Sequence, residues 1–274
     1  MTTYAAKREA VLARIRAGGS ALVAFSGGVD SSVLLALAGE ALGRDRVLAV
    51  TVDSPFVPRV DLAVARDLAR NLDLPHEVVR LDPLALPELK NNPPDRCYHC
   101  KKRVYGALCE LARARGLAVL LDGSNADDAR DYRPGARAKE ELGAISPLAE
   151  AGLTKAEVRA LAREFRLANA DAPAQACLAT RFLSGVRLTR EGLWRVEQAE
   201  LMVRGLGFRV FRVRDHFPLA RLEIALDEIS WAMILREDLV AALREAGYRY
   251  ATLDLDGYRC GSMNGKAGIT GDGR

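Results

Sequence analysis

Residues 22–34, with the sequence LVAFSGGVDSSVL, constrain the fold of this chain more than any other stretch. Residues 22–25 form a short apolar run, two glycines follow soon after it, and apolar residues recur at helical spacing from Val29 onward. The pattern predicts a buried strand, a tight loop and a helix. Because glycine carries no Cβ and a helix begins with unpaired N–H groups, a turn of this kind is suited to bind phosphate.

The loop differs from the two most familiar nucleotide-binding loops. No Gly-Lys-Ser/Thr follows it, as a Walker A loop requires, and its glycines do not have the spacing Gly-x-Gly-x-x-Gly. The sequence SGGVDSS, residues 26–32, resembles instead the pyrophosphate loop (PP-loop) of the N-type ATP pyrophosphatases, which cleave ATP between its α and β phosphates. An ordinary glycine-rich turn is the structural alternative.

This resemblance implies a set of nucleotide contacts. The PP-loop would hold the leaving pyrophosphate, Asp30 would help to hold Mg²⁺, and AMP would become attached to a substrate oxygen. The predicted ATP-binding residues are Ala24, Ser26, Gly28, Val29, Asp30, Ser31, Ser32, Asp53, Ser54 and Gly123.

Strand-like and helix-like segments alternate along the chain, which predicts an α/β fold with a doubly wound parallel sheet, like that of the adenine nucleotide α-hydrolases. The predicted strands are residues 22–25, 47–52, 76–81 and 118–121, and predicted helices include 61–71 and 101–115. A smaller C-terminal α/β domain has predicted helices at 189–204 and 230–245 and strands at 208–214, 220–226 and 248–255. We therefore expect a first domain at residues 1–187 and a second domain, with a flexible C-terminal tail, at 188–274.

Composition limits the class of protein. The chain has 274 residues, 49% of them hydrophobic, which is sufficient for a globular core. A net charge of +4 is too small to indicate a nucleic-acid partner. Without a transmembrane-length apolar run or a signal peptide, the chain is expected to be cytoplasmic and without a membrane partner. Five cysteines in a reducing compartment are expected to be thiols or ligands.

Polar side chains follow the second and fourth predicted strands, at the sheet edge where ligands bind in such folds. Asp53 and Ser54 come after the second strand, beside the expected nucleotide. The segment DGSNADD, residues 122–128, follows the fourth strand, and its Asp127 and Asp128 are candidate Mg²⁺ ligands because this cation prefers oxygen donors. A capped turn and a solvated acidic loop are the respective alternatives.

Three of the cysteines are candidates for chemistry. Cys97 and Cys100 form a C-x-x-C unit where a predicted loop meets a helix, a spacing found in half of a zinc site, in a redox dithiol and in iron–sulfur sites. Cys177 precedes Arg181 by four positions, and a nearby positive charge favours the reactive thiolate. A buried and inert cysteine is the alternative for Cys177.

Two arginines of the second predicted domain, Arg212 and Arg214, lie two positions apart on a predicted strand and therefore on one face. Guanidinium groups in this arrangement suit bidentate binding of a phosphate. A solvated face of the sheet is the alternative.

Six segments give the chain a resemblance that extends from residue 10 to residue 264. They are SGGVDSS (26–32), NPPDRCYHCK (92–101), DGSNADD (122–128), DYRPG (131–135), ACLATRF (176–182) and DLDGYRCGSMN (254–264). Their order and spacing resemble those of the LarE family, the ATP-dependent sulfur transferases of nickel-pincer nucleotide cofactor synthesis.

The LarE resemblance implies a reaction. The two carboxylates of a pyridinium-3,5-dicarboxylate mononucleotide, the small-molecule substrate, would be adenylated and converted to thiocarboxylates, with Cys177 carrying the sulfur chemistry. Some members have only this cysteine and sacrifice its sulfur. Others add a C-x-x-C and are thought to hold a [4Fe–4S] cluster on three cysteines, which accepts sulfide or another sulfur donor. Cys97, Cys100 and Cys177 give this chain the second pattern.

The resemblance extends to the second domain. Arginines in this segment are associated with the substrate's phosphate, so Arg181, Arg212 and Arg214 are predicted substrate-binding residues and Glu200 is a predicted metal ligand. A homo-oligomer is expected. Two alternatives stay open, a tRNA thiolation enzyme of the same superfamily and a nucleotide-binding sensor of the same α/β class.

Overall fold

The computed structural model describes residues 3–130, 134–173, 176–259 and 263. The chain forms two compact units, the first from Met1–Pro83 and Asp95–Ala176 and the second from Leu84–Pro94 and Cys177–Arg274. The second unit therefore begins before the boundary that we predict after residue 187, and it includes the earlier segment Leu84–Pro94. Backbone hydrogen bonds explain this, because Leu188 N donates to Lys90 O at 2.7 Å and Gly185 N donates to Asn92 O at 3.1 Å.

A four-stranded parallel sheet forms the centre of the first unit. Its strands lie in the order β3-β2-β1-β4. They are β1 (Ala21–Ala24), β2 (Val47–Asp53), β3 (His76–Arg80) and β4 (Val119–Leu121). The helices of this unit are α1 (Tyr4–Arg16), α2 (Val29–Leu42), α3 (Arg59–Asn71), α4 (Arg96–Ala114), α5 (Pro134–Glu141), α6 (Pro147–Glu150) and α7 (Lys155–Glu164).

Both faces of this sheet are buried. Val23 belongs to one core cluster together with residues of α1, α2, α3 and α7, whereas Leu22 belongs to another with residues of α4. Because successive side chains of a strand point to opposite faces, helices must cover the sheet on both sides. The predicted doubly wound α/β fold is confirmed.

The second unit has a three-stranded sheet in the order β5-β6-β7. β5 (Phe211–His216) pairs antiparallel with β6 (Leu219–Ile224), which pairs parallel with β7 (Tyr250–Leu253). The helices of this unit are α8 (Arg190–Gly205), α9 (Ile229–Ile234) and α10 (Arg236–Glu245). Residues of α8 and α10 pack on the sheet in one hydrophobic cluster. No helix in the described part of the chain is long and apolar enough to cross a membrane.

Several predicted boundaries were wrong. Helix α4 begins at Arg96, so the C-x-x-C unit lies inside its first turns. The predicted helix 230–245 is divided into α9 and α10 at Leu235, and β5 begins at Phe211. Helix α7 begins with a capping box: Glu157 N donates to Thr154 Oγ1, and Thr154 N donates to the Glu157 carboxylate.

Candidate active site

The PP-loop connects β1 to α2 and is organised by its own serine hydroxyls. Ser26 N donates to Ser31 Oγ at 3.3 Å, and Gly28 N donates to Ser26 Oγ at 3.2 Å. The hydroxyls of Ser31 and Ser32 both donate to Gly28 O at 3.0 Å. These bonds turn the Gly28 carbonyl back into the helix, and the N-terminus of α2 is left with the positive potential that favours an anion.

Two glycines allow close packing around this loop. Gly27 has a φ of +78°, and a Cβ on it would lie 2.9 Å from Ala65 Cα on α3. Gly123, just after β4, would place a Cβ 2.9 Å from Ser31 N. Any side chain at these positions would displace the PP-loop or its neighbours, because contacts below 3 Å are repulsive.

Asn169 contacts the same loop from a turn that follows α7. Its side-chain Nδ2 donates to Gly27 O at 2.8 Å and to Ser32 Oγ at 3.0 Å, and the residue is buried. Asn169 was not predicted from the sequence. Asn169 and Ser32 are 137 positions apart, so no local sequence pattern indicates this contact.

Asp30 lies in the first turn of α2 and is paired with a lysine that we did not predict. Lys155 Nζ donates to Asp30 Oδ2 at 2.5 Å, and Asn125 Nδ2 donates to Asp30 Oδ1 at 3.1 Å. The backbone N–H of Lys155 donates to Asp127 Oδ2 at 2.8 Å. Asp128 accepts a bond from Asn125 N at 3.1 Å. The structure thus brings the predicted Asp30 and Asp127 to one place, through the start of α7.

Asp122 directly follows β4 and lies in a buried polar network. Its carboxylate accepts bonds from Lys139 and Tyr105, from the amide and hydroxyl of Ser124, at 3.1 and 2.6 Å, and from Ser146 Oγ at 3.1 Å. Burial by itself would raise the pKa of Asp122. The charge and hydrogen bond of Lys139, helped by bonds from Ser124 and Tyr105, outweigh burial and lower the pKa far below its usual range.

The predicted nucleotide residues at the end of β2 are held in a turn. Asp53 forms ion pairs with Arg59 and, at 3.7 Å, with Arg80. Ser54 is buried, and its Oγ accepts a bond from Phe56 N at 3.2 Å. These contacts are those of a capped turn, the structural alternative. Nucleotide binding by Asp53 and Ser54 stays a prediction.

Cys97 and Cys100 lie three residues apart in the first turns of α4, so their side chains share one side of the helix. Both are partly exposed, and Arg96 Nη2 lies 3.6 Å from Cys97 Sγ. None of the cysteines in the described residues forms a disulfide. In the same residues, no group of three or more His, Cys, Asp or Glu side chains is arranged to hold a metal ion.

In the second unit, Cys177 begins a short 3₁₀ helix, Leu178–Arg181. Its carbonyl accepts bonds from Thr180 N at 3.0 Å, Thr180 Oγ1 at 2.7 Å and Arg181 Nη1 at 3.1 Å. Arg181 is buried and donates two parallel bonds of 2.8 Å to the Glu200 carboxylate on α8. Burial opposes the charge of Arg181, but Glu200 more than offsets this and raises the pKa of Arg181, with a contribution from Cys177. The guanidinium is therefore a fixed positive charge near the cysteine.

Arg212 and Arg214 share one face of β5, as predicted. Arg214 Nη2 donates to Glu223 Oε2 at 2.6 Å, and its Nη1 donates to Thr180 O at 3.0 Å. Arg212 lies over the Tyr258 ring at 5.1 Å, and burial together with the charge of Arg181 lowers its pKa. We call Arg181, Arg212 and Arg214 the arginine cluster. Arg181 and Arg214 are buried and paired with buried glutamates, whereas Arg212 is partly exposed, so the cluster keeps excess positive charge at Arg212.

The fold and loop define the class of protein. A strand–loop–helix turn with the sequence SGGVDSS, at the carboxyl edge of a parallel sheet, is that of a PP-loop ATP pyrophosphatase. A family model described as asparagine synthase, of this same class, matches residues 5–254.

More specific similarity extends over nearly the whole chain. The pyridinium-3,5-bisthiocarboxylic acid mononucleotide synthase of Lactiplantibacillus plantarum is 39% identical over 264 residues, covering 96% of each chain. An uncharacterized protein of Synechocystis is 41% identical, covering 89% of this chain and 91% of its own. The chain belongs to the LarE family of ATP-dependent sulfur transferases. A tRNA-specific 2-thiouridylase of Bradyrhizobium is 30% identical over 190 residues, covering 55% of this chain and 47% of its own.

Proposed function

We propose that the chain uses ATP to activate the carboxylates of pyridinium-3,5-dicarboxylate mononucleotide and replaces the activated oxygen with sulfur. The observation that carries this proposal is the similarity to the Lactiplantibacillus plantarum synthase over 96% of both chains, together with a PP-loop whose carbonyl groups are tied back by Ser31, Ser32 and Asn169. Such a loop presents N–H groups and not carbonyl oxygens to an anion.

In the proposed first step a substrate carboxylate oxygen attacks the α phosphorus of ATP. The bond between the α phosphorus and the bridging oxygen breaks, and pyrophosphate leaves toward the PP-loop and the N-terminus of α2. Lys155 lies beside Asp30 at this loop, so its ammonium group can pair with the negative charge of the leaving group. The product is an acyl adenylate, in which AMP is a good leaving group.

Asp30, Asp127 and Asp128 suit Mg²⁺ in donor chemistry, because each is a partly exposed carboxylate. The described residues hold no preformed group of three such ligands, so the cation would take phosphate oxygens and water as further ligands. The cation would neutralise charge on the triphosphate. In the described structure Lys155 supplies the positive charge at Asp30. We propose that Asp30 changes partner when the nucleotide binds, which leaves Lys155 available for phosphate oxygens.

The arginine cluster is proposed to hold the 5′-phosphate of the nucleotide substrate. Arg212 donates to the Phe211 carbonyl at 2.6 Å, lies over the Tyr258 ring, and is more exposed than the buried Arg181 and Arg214. Burial and the charge of Arg181 disfavour the charged form of Arg212, and the negative charge of a nearby phosphate would favour it. Glu200, whose two oxygens both accept bonds from Arg181, is proposed to fix the cluster in place and stays a predicted metal ligand.

In the second step hydrosulfide attacks the acyl carbon, the bond to AMP breaks, and a thiocarboxylate forms. We propose that Cys97, Cys100 and Cys177 hold a [4Fe–4S] cluster, which would supply bound sulfide for this step. Cys97 and Cys100 suit it in spacing and accessibility, whereas the described residues contain no preformed group of three ligands. Donation of the sulfur of Cys177 itself is the second candidate, and the position of Cys177 near Arg181 favours it by stabilising a thiolate.

Two experiments test the proposal. Wild-type protein with ATP and the dicarboxylate mononucleotide should release pyrophosphate and AMP; release of ADP and orthophosphate would contradict the adenylation step. For the sulfur source, anaerobically reconstituted protein should take up about four irons, as a [4Fe–4S] cluster requires, lose them in C97A, and turn over repeatedly with sulfide. A loss of one H₂S from the mass of Cys177 after a single turnover, without bound iron, would establish the sacrificial route instead.

A further inference from the structure

We propose that Asn169 is a positioning residue that sets the orientation of the Gly27–Gly28 peptide and thereby makes the PP-loop able to bind pyrophosphate. This inference rests on the proposed function only in assigning pyrophosphate to the loop. Asn169 lies outside the PP-loop, and we expect it to affect the affinity of the loop for pyrophosphate.

The geometry of one peptide unit carries the proposal. Gly27 O accepts a bond from Asn169 Nδ2 at 2.8 Å, and Gly28 N, in the same peptide unit, donates to Ser26 Oγ at 3.2 Å. In a trans peptide the C=O and N–H groups point in opposite directions. Asn169 therefore fixes the N–H of Gly28 toward the side of the loop where the hydroxyls of Ser26 and Ser31 lie, 3.2 Å apart.

The opposite orientation of this peptide is open to the backbone. Glycine takes positive and negative φ with similar ease, and the two residues flanking this peptide bond are both glycines. A flipped peptide would direct the Gly27 carbonyl toward the anion and would break the bond from Gly28 N to Ser26 Oγ that orders the loop. Donors that point at an anion are effective only when they are held in advance, so an external restraint on this peptide has a direct effect on binding.

Asn169 is itself held firmly. It is buried, and Gly27 O, which can only accept, fixes the amide with its nitrogen toward the loop, where Nδ2 also donates to Ser32 Oγ at 3.0 Å. In the described residues the buried Oδ1 of Asn169 has no hydrogen-bond partner. The turn that carries it is bonded to α7, because Arg159 donates to Ala170 O at 2.7 Å and to Ala172 O at 2.9 Å. The side chain of Asn169 therefore acts on the loop from a support that does not depend on the loop.

The test is equilibrium binding of two probes, magnesium pyrophosphate and adenosine, to the whole protein by calorimetry. N169A should weaken pyrophosphate binding about tenfold or more, because a hydrogen bond that orients a charged ligand site is lost. Adenosine, which has no phosphate, should bind within about twofold of wild type. In steady-state assays the inhibition constant of pyrophosphate should rise while KM for the mononucleotide is unchanged.

D171N is the matched control, since Asp171 lies in the same turn and pairs with Arg163 at 2.6 Å, on the exposed surface. It should bind both probes as wild type does. N169D keeps the size of the side chain but removes the donor to Gly27 O, so it should weaken pyrophosphate binding at least as much as N169A does. It therefore tests the proposal even if N169A folds poorly. Equal weakening of both probes, or unchanged pyrophosphate binding in N169D, would overturn the proposal. Neither probe requires sulfur transfer, so the result is independent of the reaction itself.

Discussion

The PP-loop and the arginine cluster are both candidate anion sites, but their polar groups are satisfied in different ways. Within the PP-loop, four hydrogen bonds join residues no more than five positions apart, and Asn169 adds two from outside the loop. In the arginine cluster, Arg181 pairs with Glu200 on α8, and Arg214 pairs with Glu223 on the neighbouring strand. One site is a local motif, and the other is assembled by the tertiary fold. The stability of the second unit should therefore depend on its site, whereas that of the first should depend less on the PP-loop.

The largest expected effect comes from breaking the pair between Arg181 and Glu200. E200Q leaves a buried guanidinium without its counter-charge and should lower the free energy of unfolding by about 3–5 kcal/mol. Both side chains are less than a tenth exposed. Urea unfolding followed by tryptophan fluorescence measures this, since Trp194 lies on the same helix as Glu200.

The control for this prediction is E40Q, which breaks an ion pair with Arg8 in which both side chains are about a third exposed. It should change the free energy of unfolding by about 1 kcal/mol or less. Equal effects of E200Q and E40Q would show that the arginine cluster does not depend on its buried partners.

The PP-loop should respond in activity more than in stability. G27A introduces a Cβ 2.9 Å from Ala65 Cα and should reduce kcat/KM for ATP about a hundredfold, because a loop displaced by about 1 Å no longer positions the phosphates. G43A is the matched control: Gly43 has a nearly identical φ of +79°, and its Cβ would have no neighbour within 4 Å. G43A should cost about 1 kcal/mol of stability and leave KM for ATP unchanged. Similar kinetics for the two variants would mean that strain, and not loop position, limits activity.

The two sites differ in how much of each could be predicted from the sequence. The strand, PP-loop and helix were predicted because their own residues form one local pattern within thirteen positions, from Leu22 to Leu34. Arg212 and Arg214 were placed correctly on one face, since alternation along a strand is also local. Their carboxylate partners were not predicted, because ion pairing across a fold has no signature in spacing.

The same distinction explains the residues that were missed. Lys155 meets Asp30 from 125 positions away, and Asn169 meets Gly27 from 142 positions away. The first turn of α4 was missed for another reason. Asp95 and the prolines before it suggest a loop, yet Arg96 already begins the helix, with the C-x-x-C unit within it.

A smaller effect, on the pH dependence of stability, is expected from the buried carboxylate of Asp122 in the first unit. The folded-state pKa of Asp122 is lowered, so the unfolded chain binds a proton more readily and stability is lost as pH falls below about 4. K139M removes the charge that lowers this pKa, so the loss of stability between about pH 4 and pH 2 should become smaller. Thermal unfolding across this range measures it. R70M, at an exposed arginine, should keep the wild-type slope; an unchanged slope in K139M would contradict the assignment.

The smallest expected effect concerns His76 at the edge strand β3. Burial, with the charge of Arg66, lowers the pKa of His76 in the folded state. The unfolded chain therefore takes up a proton first, and stability should fall as pH drops below about 6.5, by about 1 kcal/mol or less. H76Q should remove this slope. NMR titration of the imidazole checks the direction, and a pKa above the ordinary value would contradict it.

The central claim is that the substrate carboxylate attacks the α phosphorus of ATP before sulfur enters. The most direct measurement uses a mononucleotide labelled with ¹⁸O in its carboxylates. If the acyl adenylate forms and sulfur displaces AMP, one ¹⁸O atom should appear in the phosphate of AMP for each thiocarboxylate made, and pyrophosphate should stay unlabelled. Label in orthophosphate, or thiocarboxylate formed with unlabelled AMP, would contradict this account.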